Sequence, residues 1–437
     1  MVKSVSNYIR KQRLLCLMEN QTRNKVYFHY NHTDSCKFAR WTARESFEFM
    51  YGRPWQPVLD FYSNLVNRRV SLLNLFGTQT DFFLGDSKLP EDSDRTELES
   101  VTTEYRSGKW ARITYKIVLS YHGGSFEGWQ KQPGLNTVQG LMEMSLGRFV
   151  DENKAQLLKN KCKPLEGCAF VAGRTDKGVS ALQQVCSFYT WKTDVKPHEI
   201  EDAINNVAPG NLRAISVSKV SRAFHPNFSA KWRRYFYIFP INDGEDVEQN
   251  SESVNNLKTY SSNEYYSEKG NGCGGEIDEE NVQNLTKSDE DDLEVGKKPR
   301  SFSVCRVNQL LIQLEGKLLS YKIFARDTKA SRNIGPPTEC FVYHARATEA
   351  RLPCLTGEGT KKVMCVELVA NRFLRKMVRV IVATSIREAA AGAEADALLK
   401  LMDATCRRAT APPAPPDGLC LVDVGYNEFD PKNCLIS

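Results

Sequence analysis

The segment 173–181 reads GRTDKGVSA and sets one carboxylate, Asp176, between two cations, Arg174 and Lys177, on a turn that Gly178 makes sterically easy. Flanking positive charge favours the ionised carboxylate, the form that a nucleophile or general base needs. The same residues also suit an Asx turn with a hydrated salt bridge. A second segment, 224–238, reads FHPNFSAKWRRYFYI. In strand geometry Arg233, Tyr235 and Tyr237 share one face, and Trp232, Arg234, Phe236 and Ile238 the other. Such interleaving can stack an extruded base and bind its phosphates, or build a core strand with snorkelling arginines. A third segment, 367–382, reads ELVANRFLRKMVRVIV. Read as a helix, it gives an apolar stripe (Phe373, Met377, Val380, Ile381) and a basic stripe (Arg372, Arg375, Lys376, Arg379). The basic stripe suits a phosphate groove, a counter-ion for a buried carboxylate, or a plain solvated face.

Other chemistry finds little support. His122, His225 and His344 lack metal-ligand spacing with any cysteine or carboxylate pair, so no metal site is expected. Neither a Walker A loop nor a dinucleotide fingerprint occurs. The 13 cysteines are odd in number and none forms a CxxC pair, which fits a reducing compartment better than a disulfide framework. No apolar run is long enough to span a membrane, and no secretory leader is recognisable.

Short strands and helices must position these segments. Strands are expected at 113–121, 168–172, 185–191, 213–220, 363–370 and 419–424. A helix capped by Asn136 or Thr137 should bury Val138, Leu141, Met142, Ser145 and Phe149. Another is expected near 199–206, and a long one from Arg372 to about 390, capped by Asn371. The Pro-rich stretch 411–416 should end helical structure before the last strand.

The chain has 437 residues and a net charge of +6, but the charge is unevenly spread. Residues 241–296 carry 16 acids and three bases, so the remaining 381 residues carry a net +19 (56 basic against 37 acidic). A basic body points to a polyanionic partner. The organisation read from these features is a basic extension at 1–84, an acidic linker at 85–107 and a first lobe at 108–240. A disordered acidic insertion at 241–300, a second lobe at 301–430 and a tail at 431–437 complete it. The basic bias of the first 30 residues suits an organelle transit peptide or an ordinary extension.

Taken together and in order, these segments resemble the TruA-type family of tRNA pseudouridine synthases. The GRTD loop, the YHGGSFEGWQ segment at 121–130, TVQ at 137–139, FH…FSA…RRY at 224–235, AN.F…MVR at 370–379 and the closing 411–422 segment carry the likeness, which spans roughly 110–426. Lys177 and Ser180 stand where bacterial members typically have Ala and His, and look like the eukaryotic form of the loop.

The resemblance implies an α+β pseudouridine synthase fold, with two α/β lobes of mainly antiparallel sheet around a basic central cleft. It implies a uridine isomerase acting on tRNA, with Asp176 as the essential carboxylate. By the same likeness Arg174 would displace and hold the target nucleotide, Tyr235 would stack on the flipped uracil, and Arg379 would pair with the carboxylate. Arg372, Arg375, Lys376 and Arg233 are the candidates for the RNA backbone. No cofactor is implied, since the isomerisation is redox-neutral, and no membrane partner; other structured RNAs and a homodimer remain open. The location expected is intracellular, in nucleus, cytoplasm, mitochondrion or plastid. A catalytically silent RNA-binding or tRNA-folding protein of the same fold is the competing reading, and a protein-interaction role for the acidic segment is a third.

Overall fold

A computed structural model describes residues 36–77, 112–161, 169–241, 298–326, 337–353, 360–404 and 406–437. The expected linker at 85–107 and nearly all of the acidic insertion lie outside these residues. Where the chain alternates apolar and β-branched residues it forms strands: β1 (Ile113–Tyr121), β2 (Phe170–Val171), β3 (Ser180–Thr190), β4 (Leu212–Val220) and β5 (Trp232–Pro240). Beyond the acidic segment come β6 (Leu318–Ser320), β7 (Glu339–Leu352), β8 (Lys361–Ala370) and β9 (Leu419–Gly425). They join in one open sheet, β4-β1-β3-β9-β5-β8-β7-β6, with β2 against β3. The pairs are antiparallel except β3 with β9, where Ser180 lies opposite Cys420. Strand β9 comes from beyond the acidic segment yet sits between β3 and β5, which come from before it. The centre of the sheet therefore needs both halves of the chain.

The sheet is covered on both faces, and period-2 alternation along β5 sorts its side chains between two cores. Tyr235, Tyr237 and Phe239 enter the larger core. Phe236 and Ile238 enter the second. The helices are α1 (Ala43–Tyr51), α2 (Gln56–Val66), α3 (Val138–Leu146), α4 (Glu152–Asn160) and α5 (Pro197–Asn205), then α6 (Val304–Ile312), α7 (Met377–Ala391) and α8 (Ala397–Leu401). Thr137 caps α3 by accepting from the Gly140 amide, as its position before the apolar run leads one to expect.

Three sequence expectations change. First, the long helix begins at Met377 and not at Arg372. Lys376 adopts a left-handed backbone (φ 60°), so the helix cannot be extended back through it. Asn371 does not cap it: its side-chain oxygen accepts from the Phe341 amide. Second, every residue of α7 is buried, so the basic stripe does not exist as a helical face. Third, the stretch 36–77, which shows little periodicity in sequence, carries α1 and α2 and contributes Val58, Phe61, Tyr62 and Leu65 to the second core. Each such burial is worth roughly 1.5–3 kcal/mol. Thr42 and Glu45 form a capping box at the start of α1, a local signal that the irregular apolar spacing hides. Among the described residues no helix is long and apolar enough to cross a membrane.

Candidate active site

Asp176 sits in the turn that leads into β3, with the Val179 amide donating to its carbonyl at 3.2 Å. Gly178 takes φ 82°, which a side chain would strain, so the turn uses the freedom its sequence offers. Beside it Gly123 packs backbone to backbone: a Cβ there would come within 2.3 Å of the Gly178 carbonyl oxygen. The Gly123 amide donates to Ser180 Oγ at 2.9 Å. The Trp129 amide donates to the Thr175 carbonyl at 3.1 Å. Thr175 Oγ1 shares a 2.8 Å hydrogen bond with the buried Tyr121 hydroxyl. Gln184 Nε2 donates to the Gly173 carbonyl at 2.7 Å. The 121–130 segment is thus the rigid mould of the loop, which fixes the carboxylate's position with little freedom of its own.

One cation meets that carboxylate. Arg379 Nη1 donates to Asp176 Oδ2 at 3.3 Å, with the arginine side chain 7% exposed and the aspartate 32% exposed. Arg379 is held in turn: its Nε donates to the Ala414 carbonyl at 2.6 Å, and its own carbonyl accepts from the Ala414 amide at 3.1 Å. The cations adjacent in sequence do something else. Lys177 pairs with Glu127 at 2.8 Å, and Arg174 is exposed. A buried guanidinium fixed from behind faces a half-open carboxylate and leaves one edge of it exposed.

Tyr235 lies on β5 near the loop, its hydroxyl on the side of Gly173. Its ring meets Phe373 edge-on, with centroids 5.0 Å apart and planes at 85°. Burial pushes its phenol up to about 12, and the Asp176 charge acts in the same direction. The phenol therefore stays protonated at any neutral working pH. Arg233 is buried. Its guanidinium donates to the carbonyls of Ala172 and Asn371 and to the carbonyl and side chain of Asn227, clamping three chain segments around the loop. Arg372 and Lys376 are half-buried and Arg375 is exposed, all on the loop before α7 and not along one helical edge.

Sequence reasoning missed the role of the stretch 411–416. It is mostly buried and braces the site: Ala414 holds Arg379, the Tyr237 hydroxyl donates to the Pro415 carbonyl at 2.8 Å, and Pro416 packs on Gly178. Tyr62 of α2 reaches the same bracket, donating to the Gly418 carbonyl at 2.8 Å. The available signal was six successive uncharged residues, too apolar for an exposed linker.

Comparison with known proteins joins this geometry to a family. A tRNA pseudouridine synthase family model matches residues 325–427, the span that contains α7, Arg379 and β9. The tRNA pseudouridine synthase A of Pelodictyon phaeoclathratiforme is 26% identical over 313 residues, which are 71% of this chain and 98% of that protein. Those of Leptospira biflexa and Dictyoglomus thermophilum are 37% and 35% identical over 123 and 136 residues, 28% and 31% of this chain. These matches span 42% and 50% of the two relatives' own length, about half. The ordered motifs, the site they build and these similarities support the TruA-type family of tRNA pseudouridine synthases for this chain.

Proposed function

We propose that this chain is a tRNA pseudouridine synthase, isomerising uridine in tRNA with Asp176 as the reacting carboxylate. The observation that carries the reading is the Arg379–Asp176 contact, which joins residues 203 apart in sequence at a half-open carboxylate. In this reaction the N1–C1′ bond breaks, the uracil turns, and a C5–C1′ bond forms, with loss of the C5 proton. Asp176 attacks the sugar or removes a proton from it. Arg379 holds the carboxylate in place, so that it can face the positive charge that develops on the sugar.

The target base must leave its stack, which costs a few kcal/mol and is offset by stacking and phosphate contacts. Tyr235, with Phe373 behind it, is the proposed stacking surface, although its 9% exposure means that the base meets an edge or that the ring shifts on binding. Arg174, exposed on the loop, is the proposed contact for the displaced nucleotide. Phe228, 82% exposed, with its ring 4.3 Å from His225, adds an aromatic surface on the turn that Arg233 clamps. A basic cleft between two lobes, with tRNA as partner, belongs to the same proposal. The net charge of +19 outside the acidic segment supports it. The test is pseudouridine mapping in tRNA incubated with the purified full chain. New pseudouridines are expected with wild type and none with Asp176→Asn; tRNA binding without any new pseudouridine would favour the silent RNA-binding reading.

A further inference from the structure

Sequence spacing gives His344 no metal-binding partner, but the fold supplies two. Glu367 on β8 lies opposite Arg346 on β7, and His344, two residues earlier, shares their face. This is the far side of the sheet from Asp176: Leu368 and Tyr235 turn into the larger core, while Phe236, in register with Glu367, turns into the second. The C-terminal tail crosses that far face. Arg234 Nη1 donates to the Asn433 carbonyl at 2.8 Å. The Leu435 and Ile436 amides both donate to Glu367 Oε2 at 2.9 Å. This path lays Cys434 beside His344 and Glu367, and donor atoms of the three residues lie within 4.8 Å of one another.

The polar inventory of this nook is incomplete. His344 Nδ1 faces Glu315 Oε1 at 3.5 Å, while Nε2 stands 3.7 Å from Glu367 Oε2, too far for a good hydrogen bond. His344 Nε2 and Glu367 Oε1 are buried with no hydrogen-bond partner among the described residues. Glu367 itself is fully buried, and such orphaned atoms are costly unless something satisfies them. A histidine with one nitrogen toward a carboxylate and the other toward a thiol and a second carboxylate is the usual surrounding of a metal-bound imidazole. Ligand atoms around a tetrahedral zinc stand about 3.3–3.8 Å apart, given bonds of about 2.0–2.3 Å, so small side-chain adjustments suffice. Arg234, 3.6 Å from Glu367 Oε1, and Arg346, paired with Glu315, balance the two carboxylates. A mixed sulfur, nitrogen and oxygen set selects zinc-class ions over magnesium or calcium.

We propose that His344 Nε2, the Glu367 carboxylate and Cys434 Sγ hold one zinc-class ion that fastens the C-terminal tail to the back of the sheet. The Cys434 thiol gives up its proton to solvent as the sulfur–metal bond forms, and water or the second Glu367 oxygen completes the shell. The ion is structural and independent of the isomerase reading, because it lies across the sheet from Asp176.

The test uses the full chain, stripped with chelator and titrated separately with Zn2+ and Co2+. We expect about one zinc per chain, a thiolate-to-cobalt charge-transfer band, and a melting temperature that rises with zinc. Cys434→Ser should abolish the band and the zinc-dependent rise, His344→Ala should lose zinc uptake, and Glu315→Gln should weaken zinc binding about 10–100-fold. Stripped wild type that takes up no zinc would overturn the proposal. So would Cys434→Ser and Glu315→Gln proteins that bind zinc as wild type does, and this pair decides the matter even if His344→Ala fails to fold.

Discussion

Two arginine–carboxylate pairs occupy opposite faces of the same sheet, and they are built to different ends. Behind β5 and β8, Arg234 and Glu367 stand 3.6 Å apart with the glutamate fully buried, and two backbone amides of the tail occupy one of its oxygens. In front, Arg379 and Asp176 stand 3.3 Å apart with the aspartate 32% exposed and its loop held from beneath. The first carboxylate is fully buried beneath the tail and serves the fold. The second has an edge facing out, and the protein spends its hydrogen bonds on the loop around it instead. In the proposed reading, accessibility more than pairing separates Asp176 as a reacting carboxylate from Glu367 as a structural one.

The sharpest way to break that comparison is to remove each charge in turn. Asp176→Asn should lower turnover at least about a thousandfold, while tRNA affinity stays within about tenfold, because a reacting group acts mainly in the transition state. Its melting temperature should stay close to that of wild type. Arg234→Met should do the reverse: stranding the buried Glu367 charge should cost about 3–5 kcal/mol of stability in denaturant unfolding, with turnover of the folded protein within about twofold. If Asp176→Asn unfolds the protein, or Arg234→Met lowers turnover as much as stability, the two faces are not functionally distinct.

Smaller effects sharpen it. Arg379→Lys keeps the charge but loses the geometry that holds both Ala414 and Asp176, so turnover should fall about tenfold to a hundredfold in steady-state kinetics. Alkaline pH probes the buried front face. Tyr235 titrates near 10 when unfolded and is pushed up to about 12 by burial, and Cys340 rises from 9 to about 12 for the same reason. Their neutral forms are favoured in the fold, so this stability is complete below about pH 9 and lost as pH climbs towards 12. A melting temperature flat through pH 10–12 would contradict it. Smallest of all, Arg375→Ala should flatten the salt dependence of tRNA binding by about one unit if that exposed side chain meets a phosphate.

Local signals in the chain made much of this fold legible. Strand β1 and the α3 cap follow from apolar alternation and from Thr137 placed before Val138. The start of α7 did not follow, since a left-handed Lys376 is a tertiary outcome that no propensity announces. Asp176 stood out by residue type, but the cation that holds it did not: Arg174 and Lys177 are its neighbours in sequence, whereas Arg379 reaches it only because β9 and the 411–416 bracket bring α7 to the loop. The contribution of 36–77 became visible only once Val58, Phe61, Tyr62 and Leu65 of α2 met Phe236 and Ile238 of β5 in the second core.

Asp176, held by Arg379, is the proposed reacting group. This role is tested most directly by single-turnover tritium release from tRNA labelled at uridine C5, since forming the C5–C1′ bond must expel that hydrogen. The account predicts release by wild type and none above background by Asp176→Asn that still binds the same tRNA. Substantial release by Asp176→Asn would contradict it.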